Sequence, residues 1–235
     1  MTNSMPFRND PSFYDLVKNS PILADITSYL PQTIDTEIFN GQSSIDQLWS
    51  SYRENGYGSF FYALVRLLKP LCCIELGVLE GFSLLTMAAA LRDNGRGKIE
   101  GIDLFEDYPY RHAKFEIVRA RIKKLGLESY ADLQRADALE AYKRYDQVDL
   151  LHVDISNNGD TYRTIFEQWA DKVSSVMLFE GGSKERDDVS WMTQYQKPSI
   201  VEALSDLQFL YPRWRISVLN PFPSVTVALN VAIDL

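Results

Sequence analysis

The chain of 235 residues is 46% hydrophobic and sets 24 Lys and Arg against 32 Asp and Glu, a formal charge of −8. That length buries one substantial core, and the acidic balance argues against a general binder of nucleic acid or anionic membrane, whose phosphate affinity comes from clustered cations. A small or neutral partner molecule fits the charge better.

The polar start "MTNSMPFRND" lacks the apolar stretch of a secretory signal. No apolar run approaches the roughly 20 residues that cross a bilayer, so a cytoplasmic protein is expected. Cys72 and Cys73 are neighbours on one expected strand and point to opposite faces, which predicts free, reduced thiols.

The first seventy residues read as helical pieces. These are "DPSFYDLVKNS", "PILADITSYL" ended by Pro31, "SSIDQLWSSYREN", and "YGSFFYALVRLLKP" ended by Pro70. We read residues 1–70 as an N-terminal helical cap and 71–235 as the main domain.

From Leu71 the rhythm changes to strands alternating with helices: "LCCIEL", then "GFSLLTMAAALRDNG", then "KIEGIDLF", then "YRHAKFEIVRARIKKLG" closed by Gly126. A short strand "ADLQRA", a short helix from Asp137, the strand "VDLLHVD", the helix "GDTYRTIFEQWADKV" and the strand "SVMLFE" follow. Such alternation implies parallel pairing in a sheet covered on both faces. After the helix "SIVEALSDLQFLY", the segments "WRISVLN" and "SVTVALNVAI" are separated only by a turn with Pro221 and Pro223, so they pair antiparallel. The expected fold class is α/β: a doubly wound, mostly parallel seven-stranded sheet with an antiparallel C-terminal hairpin strand and an N-terminal helical extension.

In open parallel sheets ligands sit beyond the strand carboxyl ends, near the point where strand order reverses. The first such turn here carries Glu75, Gly77 and Gly81, an E-x-G-x-x-x-G pattern. A nicotinamide or flavin cofactor would set a pyrophosphate there, and Glu75 would repel it. A cationic cofactor is attracted instead. The bland alternative is a structural strand-to-helix turn. Asp103 ends the second strand and Asp137 the third; Asp137 reads equally well as a helix N-cap.

The ordered set Glu75, Gly77, Gly81, Asp103 and Asp137, followed by "VDLLHVD" and the terminal hairpin, resembles the class I S-adenosylmethionine-dependent methyltransferases over about residues 55–235. That resemblance implies S-adenosylmethionine as cofactor. Gly77 would let backbone approach its amino-acid portion, Gly81 would bring the helix start close to the sheet, Asp103 would bind the ribose hydroxyls and Asp137 the adenine. "HVD" followed by an acid-ended fifth strand is similar to the small-molecule O-methyltransferases of the macrolide-sugar and cephalosporin-biosynthesis type. The likeness implies Asp154 and Glu180 at the acceptor, as catalytic groups and as ligands for Mg²⁺ if a metal is used.

Two departures stand out: Asn157 occupies the position where relatives often carry a histidine, and Gly181 that of a second acid. His152 shares a strand face with Asp154 and reads as a packed, hydrogen-bonded histidine more readily than as a base. The loop "GGSKERDDVSWMTQYQKPS" reads as an acceptor lid, or equally as a mobile surface insertion or a contact between subunits. The expected partner is a small-molecule acceptor, with no nucleic acid or membrane and with homo-oligomerisation left open. Loss of the usual proton acceptor keeps a second reading in play, a catalytically lapsed adenosyl-ligand-binding or assembly protein.

Overall fold

The computed structural model describes residues 48–55, 57–219 and 222–231. The helices expected before Leu48 lie outside the described residues. Within them, the first two helices are α1 (Ser51–Glu54) and α2 (Tyr57–Leu68). Phe60 through Val65 are all fully buried, and α2 lies against α3 (Phe82–Asn94) as part of one apolar cluster with the sheet. Pro70 prevents further helix, as its spacing predicts.

Helix α3 is buried continuously from Phe82 to Leu91, because it is covered by α2 on one side and the sheet on the other. It ends in a Schellman turn: Gly95, at φ +69°, donates to Arg92 O at 2.8 Å while Arg96 N donates to Leu91 O at 3.3 Å.

The strands are β1 (Cys72–Leu76), β2 (Lys98–Asp103), β3 (Ala131–Arg135), β4 (Val148–Val153), β5 (Val173–Glu180), β6 (Trp214–Leu219) and β7 (Val225–Asn230). They form one sheet in the order β3-β2-β1-β4-β5-β7-β6. Strands β1 to β5 pair parallel, and β7 runs antiparallel to both β5 and β6. Helix α4 (Phe115–Lys124) joins α2 and α3 on one face, whereas α5 (Gly159–Trp169) and α8 (Ile200–Leu210) cover the other. The period-two alternation divides β1 cleanly. Cys73 and Glu75 face α2 and α3, while Ile74 and Leu76 join the opposite cluster.

Three details differ from the sequence reading. The helix after β2 begins at Phe115 rather than near Tyr110, because Pro109 holds Tyr108 extended at φ −82°, ψ 124°. His112 therefore sits in the preceding loop, its Nδ1 2.7 Å from Tyr110 O, and does not open a helix. The segment after Asp137 is a 3-10 helix, Ala138–Arg144. The long loop after β5 folds into α6 (Lys184–Asp187) and α7 (Ser190–Gln194). Asp187 ties it to the start of α8, accepting from Ser199 Oγ at 2.6 Å and Ile200 N at 2.8 Å.

Among the described residues, no helix is long and apolar enough to cross a membrane. Cys72 and Cys73 are free, and burial is the leading cause of the upward shift of both thiols.

Candidate functional site

Strand order reverses between β1 and β4, so the loops after β1, β2, β4 and β5 share one rim of the sheet. The first loop is fixed to both neighbours. Gly77 N donates to Ile102 O at 2.9 Å, and Asp154 N donates to Leu76 O at 2.7 Å. A Cβ on Gly77 would stand 2.0 Å from the Asp154 carbonyl oxygen, so this glycine is required by the close approach of the β4 end. Gly81, at φ +88°, opens α3 with room only for hydrogen against Val118 Cγ1 of α4, which a Cβ would meet at 2.9 Å. Its close neighbour is thus a helix, where the sequence pointed to the sheet.

Asp103 braces the same loop from β2. Its Oδ2 accepts from Val78 N at 2.7 Å and Leu79 N at 3.1 Å, and its Oδ1 accepts from Phe105 N at 2.7 Å. A carboxylate offers about four acceptor positions, so one remains for a ligand hydroxyl. Asp137 is exposed and caps the 3-10 helix, accepting from Leu139 N at 2.9 Å through Oδ1.

Glu75 is fully buried. Its Oε1 accepts from Ser83 Oγ and lies 3.2 Å from His152 Nδ1, while Oε2 has no partner among the described residues. His152 is itself fully buried, with Nε2 3.4 Å from the hydroxyl of Tyr52 and the rings of Tyr52 and Phe61 packed against it. Burial, then the charges of Asp154, Glu180 and Glu75, push the Tyr52 hydroxyl well above its ordinary range, so it remains a neutral donor. A buried carboxylate oxygen without a donor is costly unless something pairs with it. An ammonium group fits that position; a phosphate does not. The donor set therefore suits S-adenosylmethionine, which brings a cationic amino-acid end and no phosphate.

At the ends of β4 and β5 the arrangement is different from the one expected. Asp154 lies close enough to Glu180 for the latter's charge to raise its pKa, but Glu180 is held by Arg186 in a fork. Arg186 Nε reaches Oε1 at 2.5 Å and Nη2 reaches Oε2 at 2.9 Å. The guanidinium also stacks over Trp191, with 5.1 Å to the ring centre, and its Nη1 is buried with no partner among the described residues. Asn157 is fully buried and bridges the two strand ends, its Nδ2 donating to Val153 O and Glu180 O, both at 2.9 Å; its Oδ1 is unpartnered.

This donor set does not fit Mg²⁺. Both Glu180 oxygens are occupied by a cation already, and among the described residues no group of three or more His, Cys, Asp or Glu is placed to hold a metal.

No described residue hydrogen-bonds the Asp154 carboxylate. Desolvation first, and the charge of Glu180 second, push its pKa up to about 7. Because the folded value lies above the ordinary 3.8, the folded state holds a proton that the unfolded chain releases. Stability contributed by this group is present below about pH 4, falls between about pH 4 and 7, and is flat above. Asp154→Asn should therefore be more stable than the parent at pH 8, by a few kcal/mol at most, and nearly equal to it at pH 4, in urea melts.

Tyr52, Ser83 and Arg186 were not singled out from sequence. Ser83 had a signal, a hydroxyl in the first turn of the helix that follows the acid-bearing strand. Arg186 had none, since "KERDD" reads as a solvated charge run. Tyr108 and Tyr110 pair edge to face at 5.4 Å on the rim, and Arg111 stacks on Trp49 at 3.6 Å.

Residues 74–179 match a family model described as a methyltransferase domain. An Arabidopsis thaliana relative, provisionally named a caffeoyl-CoA O-methyltransferase, is 34% identical over 84 residues, which cover 36% of this chain. The chain spans only a third of that relative's length, 33%. Among solved structures, the S-adenosylhomocysteine-bound methyltransferase PaMTH1 of Podospora anserina has a TM-score of 0.62 at 19% identity, covering 89% of this chain and 95% of its own. The O-methyltransferase TomG of Streptomyces achromogenes, in complex with S-adenosylmethionine and involved in tomaymycin synthesis, gives 0.60 at 16% identity over 88% and 94%. An O-methyltransferase of Bacillus cereus bound to S-adenosylhomocysteine gives 0.57 at 15% identity over 94% and 91%. At these identities the likeness establishes a shared fold.

Proposed function

We propose that this chain, which carries a methyltransferase domain on the class I fold, is an S-adenosylmethionine-dependent methyltransferase acting on an oxygen of a small molecule. The observation that carries the reading is the unpartnered, fully buried oxygen of Glu75 beside a glycine loop that Asp103 holds in place. The cofactor supplies a methyl group on a cationic sulfur. The chain's residues position and protect. Glu75 would meet the ammonium of the bound cofactor, Asp103 would give its remaining acceptor position to a ribose hydroxyl, and Asp137 its second oxygen to the adenine. Asp154 would orient the acceptor, with Glu180 acting through Arg186. Holding the two reactants in line is the main contribution such a site makes to displacement at carbon.

The small-molecule acceptor is supported by the net charge of −8 and by the O-methyltransferase names of the reported relatives. "HVD" at the end of β4 and the acid ending β5 support kinship with the macrolide-sugar and cephalosporin-biosynthesis branch.

A second reading, a binding or assembly protein that has lost catalysis, is favoured by Asn157, whose amide clamps backbone and cannot take a proton. Following labelled methyl from S-adenosylmethionine into a panel of hydroxylated acceptors separates the two. Turnover to S-adenosylhomocysteine above the acceptor-free rate is the expected result; tight cofactor binding with no consumption on any acceptor favours the second.

A further inference from the structure

Buried polar atoms almost always find partners, yet two neighbours at the ends of β4 and β5 each have one that finds none among the described residues. These are Nη1 of Arg186, in a residue left 5% exposed, and Oδ1 of the fully buried Asn157. The two residues touch, Arg186 Nη2 lying 3.4 Å from Asn157 O, so the orphaned donor and acceptor belong to one small region of the rim. Arg186 is rigidly set there. Glu180 holds two of its nitrogens, Trp191 covers its face, and the Ser183 hydroxyl accepts from its backbone N–H at 3.3 Å. A guanidinium so fixed, with one N–H edge left over, is a ready-made partner for an oxygen anion.

We propose that Arg186 is a catalytic residue that supplies, in place of a divalent cation, the positive charge met by the acceptor oxygen, and that the acceptor accordingly carries an acidic, phenol-type hydroxyl. The inference rests on the methyl-transfer reading above. A dication lowers the pKa of a bound hydroxyl by many units, whereas a guanidinium already paired with Glu180 lowers it far less. The acceptor must therefore bring its own acidity, which an aliphatic alcohol lacks and a phenol has. On binding, the acceptor's O–H bond breaks, its proton leaves to solvent, and the electron pair stays on the oxygen beside Nη1. Arg186, always protonated, exchanges no proton itself. Asn157 Oδ1, an acceptor, would take a hydrogen bond from a second hydroxyl or amide of the same molecule.

The probe is 4-nitrophenol, whose ionisation is read directly by absorbance, titrated with protein saturated in S-adenosylhomocysteine and with EDTA present. Wild type should lower the apparent pKa of the bound probe by about one unit, a tenfold gain in the anion over the phenol. Arg186→Lys, which keeps the charge but loses the fork, should retain a smaller shift. Arg186→Gln should abolish it while calorimetry still registers S-adenosylhomocysteine binding, which certifies that the variant is folded. An unshifted probe in wild type, an equal shift in Arg186→Gln, or a shift that appears only on adding Mn²⁺ would each overturn the proposal. Mn²⁺ alone, followed by its paramagnetic resonance signal, should not bind wild type; binding that Asp154→Asn abolishes would likewise overturn it. If S-adenosylhomocysteine fails to bind at all, the methyl-transfer reading has failed, and the Mn²⁺ arm still decides whether Arg186 excludes a metal.

Discussion

Gly77→Ala is expected to destabilise the protein by about 2–5 kcal/mol, the sum of a left-handed backbone penalty and an overpacked contact. The residue sits at φ +86°, and its new methyl would stand 2.0 Å from the Asp154 carbonyl oxygen and 2.6 Å from the carbonyl carbon. Neither side can yield easily. Asp154 N is bound to Leu76 O at 2.7 Å, one residue away on the opposing strand, and Asn157 fastens the end of β4 to that of β5 through Val153 O and Glu180 O. Gly95→Ala makes the control, since φ there is +69° but nothing lies within 4 Å of the added carbon. It should cost only the backbone part, about 1–2 kcal/mol. Urea midpoints of the two variants, compared at equal slope, isolate the contact. Equal losses would mean that the β1 and β4 ends are not pressed together as described.

Asp103→Ala carries the second largest expected loss of stability, about 3–4 kcal/mol, because three backbone N–H groups lose one charged acceptor together. Val78, Leu79 and Phe105 all donate to it, so the glycine loop and the turn after β2 lose a common anchor. Cofactor affinity should fall with it, by about 10- to 100-fold in S-adenosylhomocysteine titrations, corresponding to the loss of charged hydrogen bonds. Asp103→Asn should be intermediate. An amide offers one oxygen, so it satisfies either Phe105 or the Val78–Leu79 pair and turns its NH₂ toward the other. If Asp103→Ala retained full stability but lost affinity, the acid would act on the ligand alone, and the bracing role described here would be wrong.

The architecture was legible because its signals are local. Alternating strands and helices give the parallel core, and the proline turn between β6 and β7 leaves no room for a crossover, so the last strand had to run antiparallel. Of the candidate site, what was legible was where a residue's own position places it. Glu75, Gly77, Gly81, Asp103 and Asp154 all lie on the rim of the switch point, as strand order requires. What they touch was not readable. Gly77 is needed because of a carbonyl 77 positions later in the chain, and Asp103 acts first on backbone N–H groups, which no side-chain pattern encodes.

Arg186 marks the clearest limit. Five charges in succession, "KERDD", look solvated on any local reading, and only the folding of α6 back onto β5 buries the arginine against Glu180. That one contact converts an expected metal ligand into half of an ion pair. Asn157, legible as a missing base, proves to be a clamp between strand ends. Tyr52 reaches His152 from a segment whose sequence shows only amphipathic helix.

Glu75 leaves one carboxyl oxygen without a partner among the described residues, and calorimetry of S-adenosylhomocysteine against wild type and Glu75→Gln tests most directly whether that oxygen meets a cationic ligand. Glutamine keeps the shape and still accepts from Ser83, but it removes the charge. Wild type should bind in the micromolar range and the variant about 10- to 100-fold more weakly, the value of a charged hydrogen bond. Equal affinity in the two proteins, or no binding to wild type at millimolar ligand, would contradict it.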